Sequence, residues 1–220
     1  MLQDIGSQLA SVPPAEWFGM LTGVSGVYLS IKEKLLAWPL FVLCYATYVY
    51  LSWEAALFAT LLLNTVFIFI SVYGWSNWLK ASQSSKLKVH IQRTPRKLLL
   101  RCGLVIACFS LLLGGLLDRY SEAYLPYLDA FATSCAFVAQ WMLSRKYIEN
   151  WIFWIVADCI FVGLWAAQGY YVSATLFVMF IALATKGWRE WNTSIPVSYT
   201  HLRAHETGRN LGCRRLLEKK

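Results

Sequence analysis

The sequence predicts an all-α integral membrane protein of seven transmembrane helices, built as two parallel three-helix repeats joined by a connecting helix (3+1+3). Three observations predict it. Of 220 residues, 58 % are hydrophobic and only 15 % charged, where soluble domains carry roughly 25 % charge. The apolar residues gather into seven segments near the length that spans a bilayer, about 17–25 residues. And the chain repeats itself at an offset of 113 positions: Gly74-Trp75-x-x-Trp78 recurs as Gly187-Trp188-x-x-Trp191, and the same offset pairs Trp38 with Trp151, Phe18 with Phe131, Val49 with Val162, Leu51 with Leu164, Leu63 with Leu176, Phe67 with Phe180 and Ile68 with Ile181. Tryptophan is rare, so three matched Trp pairs mark a duplicated unit.

The segments run Glu16–Ile31, Leu35–Trp53, Ala55–Tyr73, Leu98–Leu117, Leu125–Leu143, Trp151–Ala167 and Tyr170–Thr185. The first carries Gly19, Gly23 and Gly26, small residues that allow close helix packing. Trp17, Trp38, Trp53, Trp75, Trp78, Trp151, Trp188 and Trp191 lie at segment ends, where an interfacial aromatic belt is expected. Lys32, Lys34, Lys80, Lys86, Lys88, Arg93, Arg96, Lys97, Arg101, Arg145, Lys146, Lys186 and Arg189 fall on one side, and Arg119 is the only basic residue on the other. Excess basic residues mark the cytoplasmic side, so the N-terminus is expected outside and the C-terminus inside. Three spans per copy is an odd number, so the fourth segment must add a crossing for both copies to point the same way. The expected organisation is a first repeat over 16–79, a basic cytoplasmic loop plus connecting helix over 80–124, and a second repeat over 125–192. From 195 to 220 the chain turns polar and unrelated to the repeat (IPVSYTHLRAHETGRNLGCRRLLEKK), and it resembles translated vector read-through rather than part of the fold.

The net charge of +8 does not point to nucleic acid, because the basic residues cluster between apolar segments. Six cysteines form no C-x-x-C or Cys/His set and read as small buried hydrophobes, so neither a disulfide framework nor a metal site is expected. No P-loop is present, and no cofactor is expected.

Polar side chains at membrane depth are candidates for function. Asp158 lies mid-segment in IFWIVADCIFVGLW, on one helical face with Trp151, Trp154 and Trp165. A carboxylate among indoles suits a cationic or hydroxyl-rich ligand, though it also suits a helix-bridging hydrogen bond. Thr133 and Gln140 share a face of segment five, and Asn64 sits near the centre of segment three. Tyr45, the repeat partner of Asp158, and Thr175 complete the expected substrate-binding set: Asn64, Thr133, Gln140, Trp154, Asp158, Tyr45 and Thr175. Trp75, Trp188, Trp78 and Trp191 are expected at an inner gate or rim.

These residues resemble the PnuC family of bacterial nicotinamide riboside transporters. The resemblance spans roughly Glu16 to Trp191 and rests on EWFGMLTGVSGVYLSIKEK, AWPLF and YGWSNW in the first copy, and on AQWMLSRKYIENWIFWIVADCIF, GYYVSATLFVMF and KGWREW in the second. Where the third segment of that family often has Gln, this chain has Asn64. The resemblance implies facilitated diffusion of nicotinamide riboside, an NAD precursor, with phosphorylation trapping it inside. It also implies a homotrimer in the bacterial inner membrane. Related transporters carry thiamine or riboflavin, and a SWEET-like sugar carrier shares the 3+1+3 layout. A retinal receptor would need a Lys in mid-helix seven, where only Lys186 occurs, at the inner end. An enzyme would need paired carboxylates or a His cluster. A transporter, not an enzyme, is the expectation.

Overall fold

The structure, a computed structural model, describes residues 10–83, 90–121 and 124–195. Seven helices are described in full: α1 (Pro14–Ile31), α2 (Ala37–Glu54), α3 (Phe58–Gln83), α4 (Arg96–Tyr120), α5 (Pro126–Ser144), α6 (Asn150–Ala167) and α7 (Tyr171–Ser194). No strand occurs among the described residues. Four stretches are long and apolar enough on their own to cross a membrane: Thr60–Gln83 within α3, Arg96–Tyr120, Asn150–Ala167 and Tyr171–Ser194. The others, α1, α2 and α5, are 18 or 19 residues long, which at 1.5 Å per residue is about 27–29 Å. The expected tail over 195–220 lies, apart from Ile195, outside the described residues.

The helices close into a ring. Each packs on its chain neighbour (α1 on α2, α2 on α3, α5 on α6, α6 on α7), and two seams complete the circle, α3 on α5 and α1 on α7. Helix α4 stands outside and packs on α5 through the stripe Cys102, Ile106, Ser110 and Gly114.

The four tight turns show why the chain folds back where it does. After α1, the N–H of Glu33 bonds to the Ser30 carbonyl and that of Lys34 to the Leu29 carbonyl; after α5, Lys146 bonds to Leu143 and Tyr147 to Met142. After α2, Ala56 bonds to Trp53 and Leu57 to Ser52; after α6, Gly169 bonds to Ala166 and Tyr170 to Trp165. All four are the double-bonded helix ending that needs a left-handed residue. That residue is Glu33, Ala56, Lys146 or Gly169, at φ 53°, 55°, 55° and 84°. Every bond has its counterpart 113 positions on, so the repeat holds in the backbone as well as the sequence.

The Gly-Trp-x-x-Trp motifs build the core. The Trp38 ring lies on Gly74 and meets Trp78 edge-on, centroids 5.3 Å apart at 82°. The Trp151 ring lies on Gly187 and meets Trp191 edge-on, 5.3 Å apart at 83°. Only glycine leaves room, since a Cβ at Gly187 would stand 2.6 Å from the Trp151 indole and one at Gly74 would overlap the Trp38 indole. Trp38, Trp78, Trp151 and Trp191 are buried, with Ile31, Leu143 and Ile148 beside them. This corrects the belt assignment for those four. Trp17, Trp53 and Trp75, by contrast, are exposed at 40 %, 65 % and 38 %. Helices α3 and α7 also run past the expected limits at Tyr73 and Thr185, to Gln83 and Ser194. Hydropathy falls there, but buried Trp78 and Trp191 keep these turns packed and helical.

The core lies at the end of the ring that carries the basic residues. Lys146 pairs with Glu33 at 2.7 Å and Lys32 with Glu190 at 2.9 Å. The Glu190 carboxylate, as hydrogen-bond partner, holds the Lys32 ammonium above its usual range. Arg145 donates to the Tyr73 hydroxyl at 2.5 Å and lies over the Tyr73 and Trp141 rings. Part of the expected basic loop is an ordered strap at the same end. Gln92 pairs with the α5–α6 turn, accepting from the Ile148 N–H at 3.0 Å and donating to the Lys146 carbonyl at 3.1 Å. Glu149 accepts from the Thr94 N–H and hydroxyl at 2.8 and 2.6 Å. The RKYIENW run therefore earns its residues structurally: Lys146 makes the turn, Glu149 ties the strap, and Trp151 covers Gly187.

Two substitutions test this packing by thermal unfolding in detergent. Gly187→Ala should lower stability by about 1–3 kcal/mol through overpacking. Ala56→Gly, which relieves a left-handed alanine, should raise it by about 1 kcal/mol.

Candidate functional site

Inside the ring is a cavity of ≈ 380 Å³, within the roughly 300–1,000 Å³ of small-molecule sites. All six ring helices line it and α4 does not. Its lining is paired by the same offset of 113: Met20 with Thr133, Val27 with Gln140, Phe41 with Trp154, Tyr45 with Asp158, Tyr48 with Phe161, and Phe67 with Phe180. The cavity is thus lined by equivalent positions of both copies.

Of the seven residues expected to bind substrate, Asn64, Thr133, Gln140, Trp154, Asp158 and Tyr45 line this cavity together. Thr175 does not: it is exposed, and its hydroxyl bonds back to the Tyr171 carbonyl at 2.8 Å. It occupies the outer face of α7, while Leu176, Phe177 and Phe180 turn inward. None of the four expected gate residues lines the cavity. Trp78 and Trp191 are core residues beneath it, Trp188 packs at the edge of that core, and Trp75 is exposed.

The polar groups are held in different ways. Gln140 is fully buried and donates from Nε2 to the Ser71 hydroxyl across the α3–α5 seam at 3.2 Å, while its Oε1 has no partner among the described residues. The Ser71 hydroxyl bonds to the Phe67 carbonyl at 2.8 Å, which leaves it free to accept from the Gln140 amide. Asn64 donates to the Thr60 carbonyl at 2.8 Å, which leaves its Oδ1 as an acceptor. Asp129, in the first turn of α5, has Thr133 as side-chain hydrogen-bond partner. Asp158 is only 3 % exposed, and among the described residues no side chain donates a hydrogen bond to its carboxyl. Tyr45 lies within electrostatic reach of it. Among the described residues the lining contains no Lys, Arg or His.

Aromatic rings make the rest of the wall. Tyr45 stacks on Phe67 at 4.9 Å and 14°, Phe67 meets Phe137 at 4.5 Å, and Phe161 meets Phe177 at 5.0 Å. Phe41, Phe161, Phe177 and Phe180 were not singled out from the sequence as binding residues. Applying the repeat offset to the candidates already chosen finds part of them, since Trp154 points to Phe41 and Asn64 to Phe177. The glycines of α1 do both jobs. Cβ atoms at Gly19, Gly23 and Gly26 would lie 3.2, 3.1 and 2.8 Å from Tyr48, Cys44 and Phe41 of α2, and Gly19 and Gly23 also line the cavity.

A family model described as nicotinamide mononucleotide transporter matches residues 13–193. The chain belongs to this transporter family. Among its members, the nicotinamide riboside transporter PnuC of Escherichia coli (strain K12) is 26 % identical, the match covering 81 % of this chain and 85 % of that one. The riboflavin/roseoflavin transporter RibM of Streptomyces davaonensis is 24 % identical over 80 % of this chain and 84 % of its own. The crystal structure of the vitamin B3 transporter PnuC shares the fold, with a TM-score of 0.68 and 20 % identity over 88 % of this chain and 89 % of that one. Membership of this transporter family and the apolar helices make the protein a multi-pass membrane protein.

Proposed function

We propose that the protein carries nicotinamide riboside across the bacterial inner membrane by facilitated diffusion with alternating access, and that phosphorylation inside the cell traps it. The observation that carries this reading is a cavity between the copies, walled by aromatic rings and neutral hydrogen-bonding groups, with two carboxylates and no cationic side chain among the described residues. Aromatic rings attract a flat cation at about 0.5–2 kcal/mol each. Trp154 and its neighbours would hold the nicotinamide ring, and Asn64, Thr133, Gln140 and Asp158 the polar atoms. The unpartnered Gln140 Oε1 supports a ligand that brings a donor. A phosphate, by contrast, would bring about two negative charges to a wall that already holds Asp129 and Asp158. The reading is therefore of the nucleoside and not its phosphate.

In this reading the ring is two parallel three-helix repeats over 16–79 and 125–192, with α4 as the connector that keeps them parallel and the basic end facing the cytoplasm. The protein is a carrier and not an enzyme, and by its resemblance to PnuC transporters a homotrimer. Rocking of the halves must open the basic end, which is shut by the tryptophan core and by Glu33–Lys146. Positions 33 and 146 are repeat equivalents, so a bond between them lies across the axis itself. That pair, rather than Trp75 or Trp188, sits where an inner gate belongs. The second reading, riboflavin, is favoured by the similarity to RibM; thiamine or a neutral sugar would be carried by the same architecture.

Calorimetry on the purified protein with nicotinamide riboside, nicotinamide mononucleotide, riboflavin, thiamine and glucose tests the substrate. Nicotinamide riboside should bind and the mononucleotide should not; tight binding of riboflavin or sugar alone would replace the substrate and keep the fold. Gln140→Ala should weaken binding about tenfold, near 1.4 kcal/mol, and Thr175→Ala should leave it unchanged. For the gate, Glu33→Lys should raise labelling of Cys44 from the basic side about fivefold, as expected for a pair worth ~1 kcal/mol, in a background whose only thiol is Cys44. Adding Lys146→Glu remakes the pair in reverse across the same axis and should restore the original rate; no restoration would remove the pair from the gate.

A further inference from the structure

The two halves of the cavity differ most at one matched pair of positions. On α2 stands Tyr45, a neutral phenol, and at the equivalent place on α6 stands Asp158. The Asp158 residue is 3 % exposed, and among the described residues no side chain donates to its carboxyl. The other carboxylate of the wall, Asp129, is engaged by Thr133. Among the described residues, no Lys, Arg or His lines the cavity to neutralise either one. A buried, unpaired carboxylate is costly and is relieved only by a proton or by a neighbouring positive charge. Among the described residues no lining side chain supplies that charge, and a ligand that enters the cavity can. The aromatic residues of the same wall, Trp154, Phe161 and Trp165, favour a flat cation over a flat neutral ring.

We propose that Asp158 is the specificity-determining residue for ring charge: the cavity accepts a nucleoside whose base is cationic and discriminates against the same nucleoside with a neutral base. This rests on the nicotinamide riboside reading. The oxidised form carries a pyridinium ring. The reduced dihydropyridine form differs by one added hydride, keeps the ribose and carboxamide, and has lost the ring charge. Shape and hydrogen bonding are nearly shared, so a difference in affinity between the two reports charge. The asymmetry between Tyr45 and Asp158 also gives the ligand one orientation on an otherwise twofold site, with its ring toward α6.

Competition binding with the oxidised and reduced ribosides, on the full chain in detergent, tests this. The unmodified protein should bind the oxidised form about tenfold tighter. Asp158→Asn should bring the two affinities to within about twofold, chiefly by weakening the oxidised form. Gln140→Ala should weaken both and keep their ratio, a pattern that general damage to Asp158's surroundings does not reproduce. Equal affinities in the unmodified protein would overturn the proposal, as would an unchanged ratio in Asp158→Asn. Asp158→Ser serves as a second neutral variant where the first does not purify, and the unmodified ratio decides alone if neither does. Binding of neither form would instead overturn the nicotinamide riboside reading beneath it.

Discussion

The structure depends on an indole ring packed directly against a glycine, made twice. Trp38 on Gly74 and Trp151 on Gly187 join the second and third helix of each copy where no side chain fits between them. Each ring then takes a tryptophan edge-on from one turn further along, Trp78 or Trp191. In a membrane, helices gain little from hiding apolar surface, because lipid is as apolar as a side chain, and close packing must hold them together instead. Glycine beneath indole gives a large contact area at the shortest approach. Both contacts lie at the basic end, so the ring is drawn shut there and the cavity is left above it.

The second consequence is symmetry, and where it fails. Turns, core and cavity wall all repeat at 113 positions, down to the left-handed residues that end four of the helices. A site on such an axis would treat both ends of a ligand alike. The wall departs from the repeat where chemistry is needed: Gln140 answers Val27, Asp158 answers Tyr45, and Asn64 answers Phe177. At the basic end the same departure makes a bond, since Glu33 answers Lys146 and the two meet at 2.7 Å. Had duplication left like charges at both places, they would repel across the axis.

Much of this was legible in the sequence, because membrane helices announce themselves by hydropathy and a duplication by its fixed offset. The seven helices came from those two signals, and six of the seven residues expected to bind substrate, chosen mainly as polar side chains at membrane depth, line the cavity. Where the structure departs from the sequence reading, the causes are physical. Thr175 is polar and mid-helix, but its hydroxyl is satisfied by the turn before it, so its polarity required no partner in the cavity. Trp78 and Trp191 look like belt residues by position, yet they are core, because only the three-dimensional meeting with Trp38 and Trp151 distinguishes the two. The strap at Gln92 to Thr94 was invisible, since a polar loop gives no sign of which turn it will pair with. The aromatic wall was partly hidden because aromatic residues are also what face lipid.

The central claim is that the ligand sits on the axis between the copies, with its ring against α6. A structure with nicotinamide riboside bound tests this most directly. The account predicts density within the cavity, the ring beside Asp158 and Trp154, and a donor from the ligand on the Gln140 Oε1. Density at the Gly-Trp-x-x-Trp end, or outside the ring against α4, would contradict it.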